Sequence, residues 1–255
     1  LAAAGRRRAP RAAARPAARA ARRAAVEPPP ARPLLGGGRG AALPRQQTLG
    51  AAIGWSYDLL DEPERRLFER VSVFAGGFVG EAAEQVCGVD PLASADVFAR
   101  LTRLVDRSLV VAESGPGQEP TRYRLLETLR TFAGARLAAR GEAEAARARH
   151  AAWLVERAEQ AARAYHGPEQ GRWLRWAERE HGNAQAALAW ALGGGEPDMA
   201  VRLAAAFSWP WLVHGRWSEG LDWAQRALAL PGAAPTGERG RRSAGAIRRT
   251  SFRGD

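Results

Sequence analysis

Between Thr48 and Leu230 the apolar residues recur at intervals of three and four, the period of helices that bury one face. Thr48 stands as an N-cap ahead of Leu49, Ile53, Trp55 and Leu59–Leu60, which predicts a first helix over 47–60. Asp61 is placed to cap a second, with Pro63 in its first turn and Glu64 at its third helical position. In that arrangement the two carboxylates satisfy backbone N–H groups reciprocally. Leu67, Phe68, Val71 and Phe74 form its apolar stripe, and Gly76–Gly77 ends it. A short helix near 80–87 carries Ala82, Ala83 and Val86, and a longer one from Ser94 to about Ser108 carries Val97, Phe98, Leu101, Leu104 and Val105.

The pattern then changes. Leu109-Val110-Val111, the turn-rich Ser114-Gly115-Pro116-Gly117 and a run from Thr121 to Leu125 read as a two-stranded hairpin, the only β signal in the chain. Helices resume at Glu127, with Leu129, Phe132 and Leu137 on one face and Gly141 as the stop. Four more are expected over 142–165, 168–192, 197–213 and 216–230, separated by breaks short enough to make neighbours antiparallel. In the last pair Ala200, Leu203, Ala204 and Phe207 face Trp217, Gly220, Leu221 and Ala224 across a tight turn, which suits a tetratricopeptide-type unit of ~34 residues. Trp173, Trp176, Trp190, Trp217 and Trp223 recur at helical intervals as packing residues, and Pro210 should kink its helix.

Composition adds limits to this picture. Residues 1–33 are almost wholly Ala, Arg and Pro, too poor in apolar bulk to offset the entropy of ordering, and 34–44 is a Gly-rich connector. Arg, Gly and Ser dominate again after Pro231, where a further repeat would be expected. The expected organisation is a disordered tail and linker over 1–40, a first domain over 41–141, a helical domain over 142–231 and a disordered basic tail over 232–255. The first 33 residues superficially resemble an Arg-rich transit peptide, but with Leu1 at the start and no Ser in the stretch a truncated or mis-framed gene end is expected at least equally. The net charge of +11 belongs to the tails: residues 1–40 hold ten Arg against Glu27, whereas 41–235 hold 22 Arg and 24 acidic residues. A basic globular face is therefore not expected.

Several kinds of chemistry are not expected. No stretch approaches the ~20 uninterrupted apolar residues of a membrane helix. The single cysteine, Cys87, allows no internal disulfide and lies beside Val86 as a small buried hydrophobe, so the expected location is cytoplasmic. His150, His166, His181 and His214 lack metal-type spacing, and no nucleophile has a base and an orienting acid in pattern. A phosphate-binding loop needs a lysine after its glycines, and all 38 cationic residues are Arg, which leaves Gly36–Gly38 and Gly193–Gly195 as linkers. No cofactor, metal, membrane or catalytic role is expected.

The motifs themselves resemble a known family. They are Ala42-Leu43-Pro44-Arg45-Gln46-Gln47-Thr48-Leu49, Trp55-Ser56-Tyr57-Asp58-Leu59-Leu60, Ser72-Val73-Phe74-Ala75-Gly76-Gly77-Phe78, Leu104 to Val110, Tyr123 to Arg130 and Trp217-Ser218-Glu219-Gly220. In order and spacing, from about Arg32 to about Leu230, they are similar to the STAND or NB-ARC-type ATPase regulators, particularly the large LuxR-type and antibiotic-regulator-type proteins. The resemblance implies a mainly α fold: a winged helix, made of a helical cluster and one hairpin, followed by tetratricopeptide-like repeats, with the NTPase lying outside this chain. It implies a winged helix that packs against the ADP-bound NTPase and repeats that gate its release. Related domains carry a Met-His-Asp motif after the wing; Leu125, Leu126 and Glu127 stand there instead, so no nucleotide-contacting residue is assigned.

Function is then expected to be switching through protein contacts with the NTPase domain or a signalling partner, with DNA engaged indirectly. The alternative is a sequence-specific DNA-binding winged helix. It rests on Arg100, Arg103 and Arg107, which the spacing puts on one face of the expected recognition helix, where they could meet phosphates or a partner. Asp96 and Asp106 on the same helix, and the lack of Asn, Gln or Lys beside the arginines, favour a solvated or partner-facing surface.

Overall fold

The computed structural model describes residues 50–115, 119–194 and 196–231. The expected tails, the linker and the start of the first helix at 47 lie outside these residues. The first described helix, α1, spans 50–58. It is followed by α2 (Glu62–Arg70), a 3-10 turn (Val71–Val73), β1 (Phe78–Val79), α3 (Gly80–Cys87), α4 (Ser94–Asp106), β2 (Val111–Glu113), β3 (Arg122–Arg124) and α5 (Glu127–Ala139). Five more helices follow among the described residues: α6 (Ala143–Ala164), α7 (Gln170–Arg179), α8 (His181–Leu192), α9 (Pro197–Val213) and α10 (Trp217–Leu228). The molecule is mainly α, and its helix, strand, two helices and hairpin follow the order expected of a winged helix.

Asp61 caps α2 as its sequence predicts. Its Oδ1 accepts from the Glu64 N–H at 2.7 Å, and Glu64 Oε2 accepts from the Asp61 N–H at 3.2 Å. The helix stops at Arg70, however, and the chain tightens through the 3-10 turn before Phe74 goes extended. That extension brings Phe78–Val79 alongside β3, giving a three-stranded antiparallel sheet in the order β1-β3-β2 with Phe78 opposite Tyr123 and Ala112 opposite Tyr123. The hairpin is thus present with one strand more than the sequence pattern suggested. Gly77 makes the third strand feasible: at φ +79° it adopts a backbone that disfavours a side chain, and a Cβ there would sit 2.8 Å from the Tyr123 carbonyl oxygen.

Two further expectations change. The single helix expected over 168–192 is two helices, α7 and α8, hinged at Glu180. Trp217, expected as a packing residue, is 38% exposed, whereas Trp173 is buried. The pairing of α9 with α10 is as close as its small residues imply, since a Cβ on Gly220 would fall 2.8 Å from Trp211 Cε3. Helix α9 continues through the buried Pro210 to Val213.

One apolar core runs from Ile53 in α1 to Ala227 in α10 and passes through Phe68, Phe74, Phe78, Trp153, Leu188 and Phe207. Each fully buried Leu or Phe in it contributes roughly 2 kcal/mol through lost water contact. The turn at Gly141 joins α5 to α6, and Leu137, Ala143 and Ala146 beside it form a small apolar cluster of their own.

Candidate functional site

Helix α4 occupies the place of a recognition helix, between α3 and the hairpin. Val97, Leu101 and Leu104 bury one face. Spacing sets Arg100, Arg103 and Arg107 together on another, as the sequence implies, but they face acids of their own domain. Arg100 Nη1 lies 3.3 Å from Asp61 Oδ2, Arg103 Nη1 lies 3.5 Å from Glu64 Oε1, and Arg107 Nη2 lies 3.9 Å from Glu64 Oε2. Arg107 also donates to the Leu59 carbonyl at 3.4 Å. Glu64 is 2% exposed, so the two arginines beside it neutralise a charge that burial would otherwise penalise. The exposed residues of α4 include Ala95, Asp96, Phe98, Ala99, Thr102, Arg103 and Asp106, with Arg107 exposed at its end, a surface of mixed charge on which Phe98 is 55% exposed.

Behind that face lies a buried ionic lattice that sequence spacing could not reveal. Arg70, 2% exposed, donates to the carbonyls of Cys87 (3.0 Å), Val89 (2.7 Å) and Asp90 (3.1 Å), fixing the loop that delivers α4, and to Glu142 at 2.9 Å. Glu142 also receives Arg66 at 2.6 Å. Arg140 pairs with Glu62 at 2.7 Å and with the buried Glu69, which in turn accepts from the Tyr57 hydroxyl. Hydrogen bonding to Arg140 holds the Glu62 carboxyl below the usual range, while burial first and Glu69 second raise the Tyr57 hydroxyl. Cys87 is fully buried and its thiol is pushed up to about 12 by desolvation, which leaves it inert as a nucleophile.

The second feature is a seam where the 75–77 loop meets the corner between α7 and α8. The fully buried Asn183 accepts from the backbone N–H of Ala75 (2.9 Å) and Gly76 (3.3 Å) and donates to the Gly77 carbonyl at 2.8 Å. Arg122, from β3, donates to the carbonyls of Gly76 (2.9 Å), Gly77 (3.0 Å) and Arg179 (2.9 Å) and to Glu180 at 2.7 Å. Backbones touch here: a Cβ on Gly182 would lie 3.2 Å from Gly76 Cα. Ala75-Gly76-Gly77 is legible in the sequence as a motif, but its partner at Asn183 is more than a hundred residues away.

Leu126, in the place of the related domains' histidine, is half-exposed at the N-terminus of α5. Among the described residues no group of three or more His, Cys, Asp or Glu is placed to hold a metal ion. No described helix is long and apolar enough to cross a membrane.

The strand order and the hairpin after α4 decide the fold of this half. Residues 60–138 match the winged helix-turn-helix domain. The chain is 40% identical over 190 residues, 74% of its length, to proteins of Mycobacterium bovis and Mycobacterium tuberculosis named "Putative HTH-type transcriptional regulator". It spans about a fifth of the length of those relatives, 21%. An uncharacterized protein of Mycobacterium tuberculosis is 40% identical over 118 residues, covering 46% of this chain and 30% of its own. No solved structure matches the chain. In this winged helix, α4 stands in the recognition-helix position, β2 and β3 form the hairpin, and Arg122 joins that hairpin to the helices beyond.

Proposed function

We propose that this chain is a non-catalytic regulatory segment of a STAND-type ATPase regulator of transcription. Its winged helix and the tetratricopeptide-like helices after it make protein contacts, either with an NTPase domain of the same protein or with a signalling partner. The observation that carries the reading is the engagement of Arg100, Arg103 and Arg107 with Asp61 and Glu64 of their own domain, beside the exposed Phe98 of the same helix. Arginines already paired with carboxylates attract phosphates less strongly, and an exposed aromatic side chain suits a protein surface. The lack of any lysine for a phosphate loop supports a regulatory rather than catalytic role. ATP binding and hydrolysis by the purified chain test this reading: neither is expected, and robust turnover would overturn it.

The second reading, a winged helix that itself reads DNA, is favoured by the matched domain and by the relatives' names. Mobility shifts with the intact chain at rising salt separate the two. Retention owed to the Arg-rich tails falls steeply between 50 and about 200 mM salt. Sequence-specific retention persisting above that, and lost in Arg100→Ala with Arg103→Ala, would establish the second reading.

A further inference from the structure

A half-open cavity of about 650 Å³ opens at the seam of the winged helix with the helices that follow it. Its walls come from the 3-10 turn (Val73), α5 (Gly134, Leu137), α6 (Arg147, His150) and α8 (Trp190). The size lies within the range of small-molecule sites, and the walls are slightly more polar than apolar, with Val73, Leu137 and Trp190 as apolar parts. Gly134 sits inside a helix, where glycine is disfavoured, and a Cβ there would meet nothing closer than Ser72 Oγ at 3.6 Å. Its missing side chain enlarges the cavity.

Two polar groups give the cavity a chemical preference. His150 is 2% exposed and its ring stands edge-on to Phe74 at 4.9 Å, yet its Nε2 has no hydrogen-bond partner. Burial holds this imidazole neutral, its pKa lowered to about 4, so it offers a neutral hydrogen-bonding atom rather than a charge. Arg147, one turn earlier on α6, is half-exposed and meets Glu144 through Nη1 alone, at 2.8 Å. Glu144 is held on its other oxygen by Trp190 Nε1 at 2.8 Å, which fixes the indole in the wall. Arg130, also in the lining, is closed off by a two-pronged pair with Glu127 at 2.7 and 2.9 Å. Arg147, with a single bond to Glu144, keeps more of its five donors free than Arg130, which spends two on Glu127.

We propose that this cavity binds a small planar aromatic acid carrying an N–H or O–H group. The ring packs among Val73, Leu137 and Trp190, the carboxylate meets Arg147, and the polar hydrogen engages His150. A ligand so placed touches the winged helix, α6 and α8 together, so its occupancy tightens the seam between them. The inference does not depend on whether the winged helix contacts DNA or protein.

Indole-3-acetate is a suitable probe, with 3-methylindole and tryptamine as its neutral and cationic counterparts, each titrated calorimetrically into the intact chain. Indole-3-acetate is expected to bind at least tenfold more tightly than either. Arg147→Gln should abolish that preference over 3-methylindole, and His150→Phe should weaken all indoles at least tenfold. Gly134→Leu should eliminate binding by filling the cavity. Ala189→Phe, at an exposed rim position, should do the same without touching the core. Equal binding of the three probes, undiminished binding by Ala189→Phe, or no binding of indole-3-acetate at millimolar concentration would overturn the proposal.

Discussion

Truncating the fully buried Asn183 to alanine removes the acceptor of the Ala75 and Gly76 N–H groups and the donor to the buried Glu180 carboxylate. Each unsatisfied buried group costs about 1–3 kcal/mol, so Asn183→Ala should lower stability by about 3 kcal/mol in urea unfolding. An exposed pair such as Arg172 with Glu169 should contribute less than 1 kcal/mol when broken. His150 gives the seam a pH dependence of definite sign. Its folded pKa of about 4 lies below the ordinary 6.5, so as pH falls the unfolded chain takes up the proton first. Stability is full above pH 6.5 and declines through the window down to 4, with a loss of about 2 kcal/mol between pH 7.5 and 5. His181, also lowered by burial, acts in the same direction. Unfolding of His150→Leu across that interval should therefore show a reduced slope rather than none; an unchanged slope would contradict the assignment.

At the scale of elements, two helical glycines should respond oppositely to the same substitution. Gly220→Ala drives a methyl into Trp211 and separates α9 from α10. Overpacking of this kind costs about 1–3 kcal/mol, which exceeds the ~1 kcal/mol of helix propensity gained, so thermal unfolding should move to lower temperature. Gly134→Ala meets only ordinary contact distances and should raise stability by about 0.5–1 kcal/mol. These elements also show what the sequence could disclose. The Asp61 cap, the hairpin and the α9–α10 pair were legible because each is set by residues within about thirty-five positions of one another. Strand β1 was hidden because two residues carry no alternation and Gly76–Gly77 reads as a helix stop. The break at Glu180 has no proline or glycine before it; docking of Gly76 against Gly182 and the hydrogen bonds to Asn183 and Arg122 account for it, and they come from far along the chain. The arginine face of α4 followed from spacing, whereas its acidic partners at Asp61 and Glu64 required the fold.

For the molecule as a whole, charge and structure are unevenly distributed. The described helices and sheet carry nearly balanced charge, and much of it is paired internally. Any affinity of the intact chain for nucleic acid should consequently be salt-labile and indifferent to sequence, which competition with unrelated DNA at about 150 mM salt checks. The continuous core from α1 to α10 also predicts a single cooperative urea transition across fluorescence and circular dichroism; two separate transitions would mean that winged helix and helices unfold independently. Arg122 shows what such continuity entails. One guanidinium, carried on a wing strand, clasps the 76–77 loop and the end of α7, so a partner pulling on the wing tugs the distant helices in the same stroke. The wing is geared to the array behind it, and a load on either is felt by both.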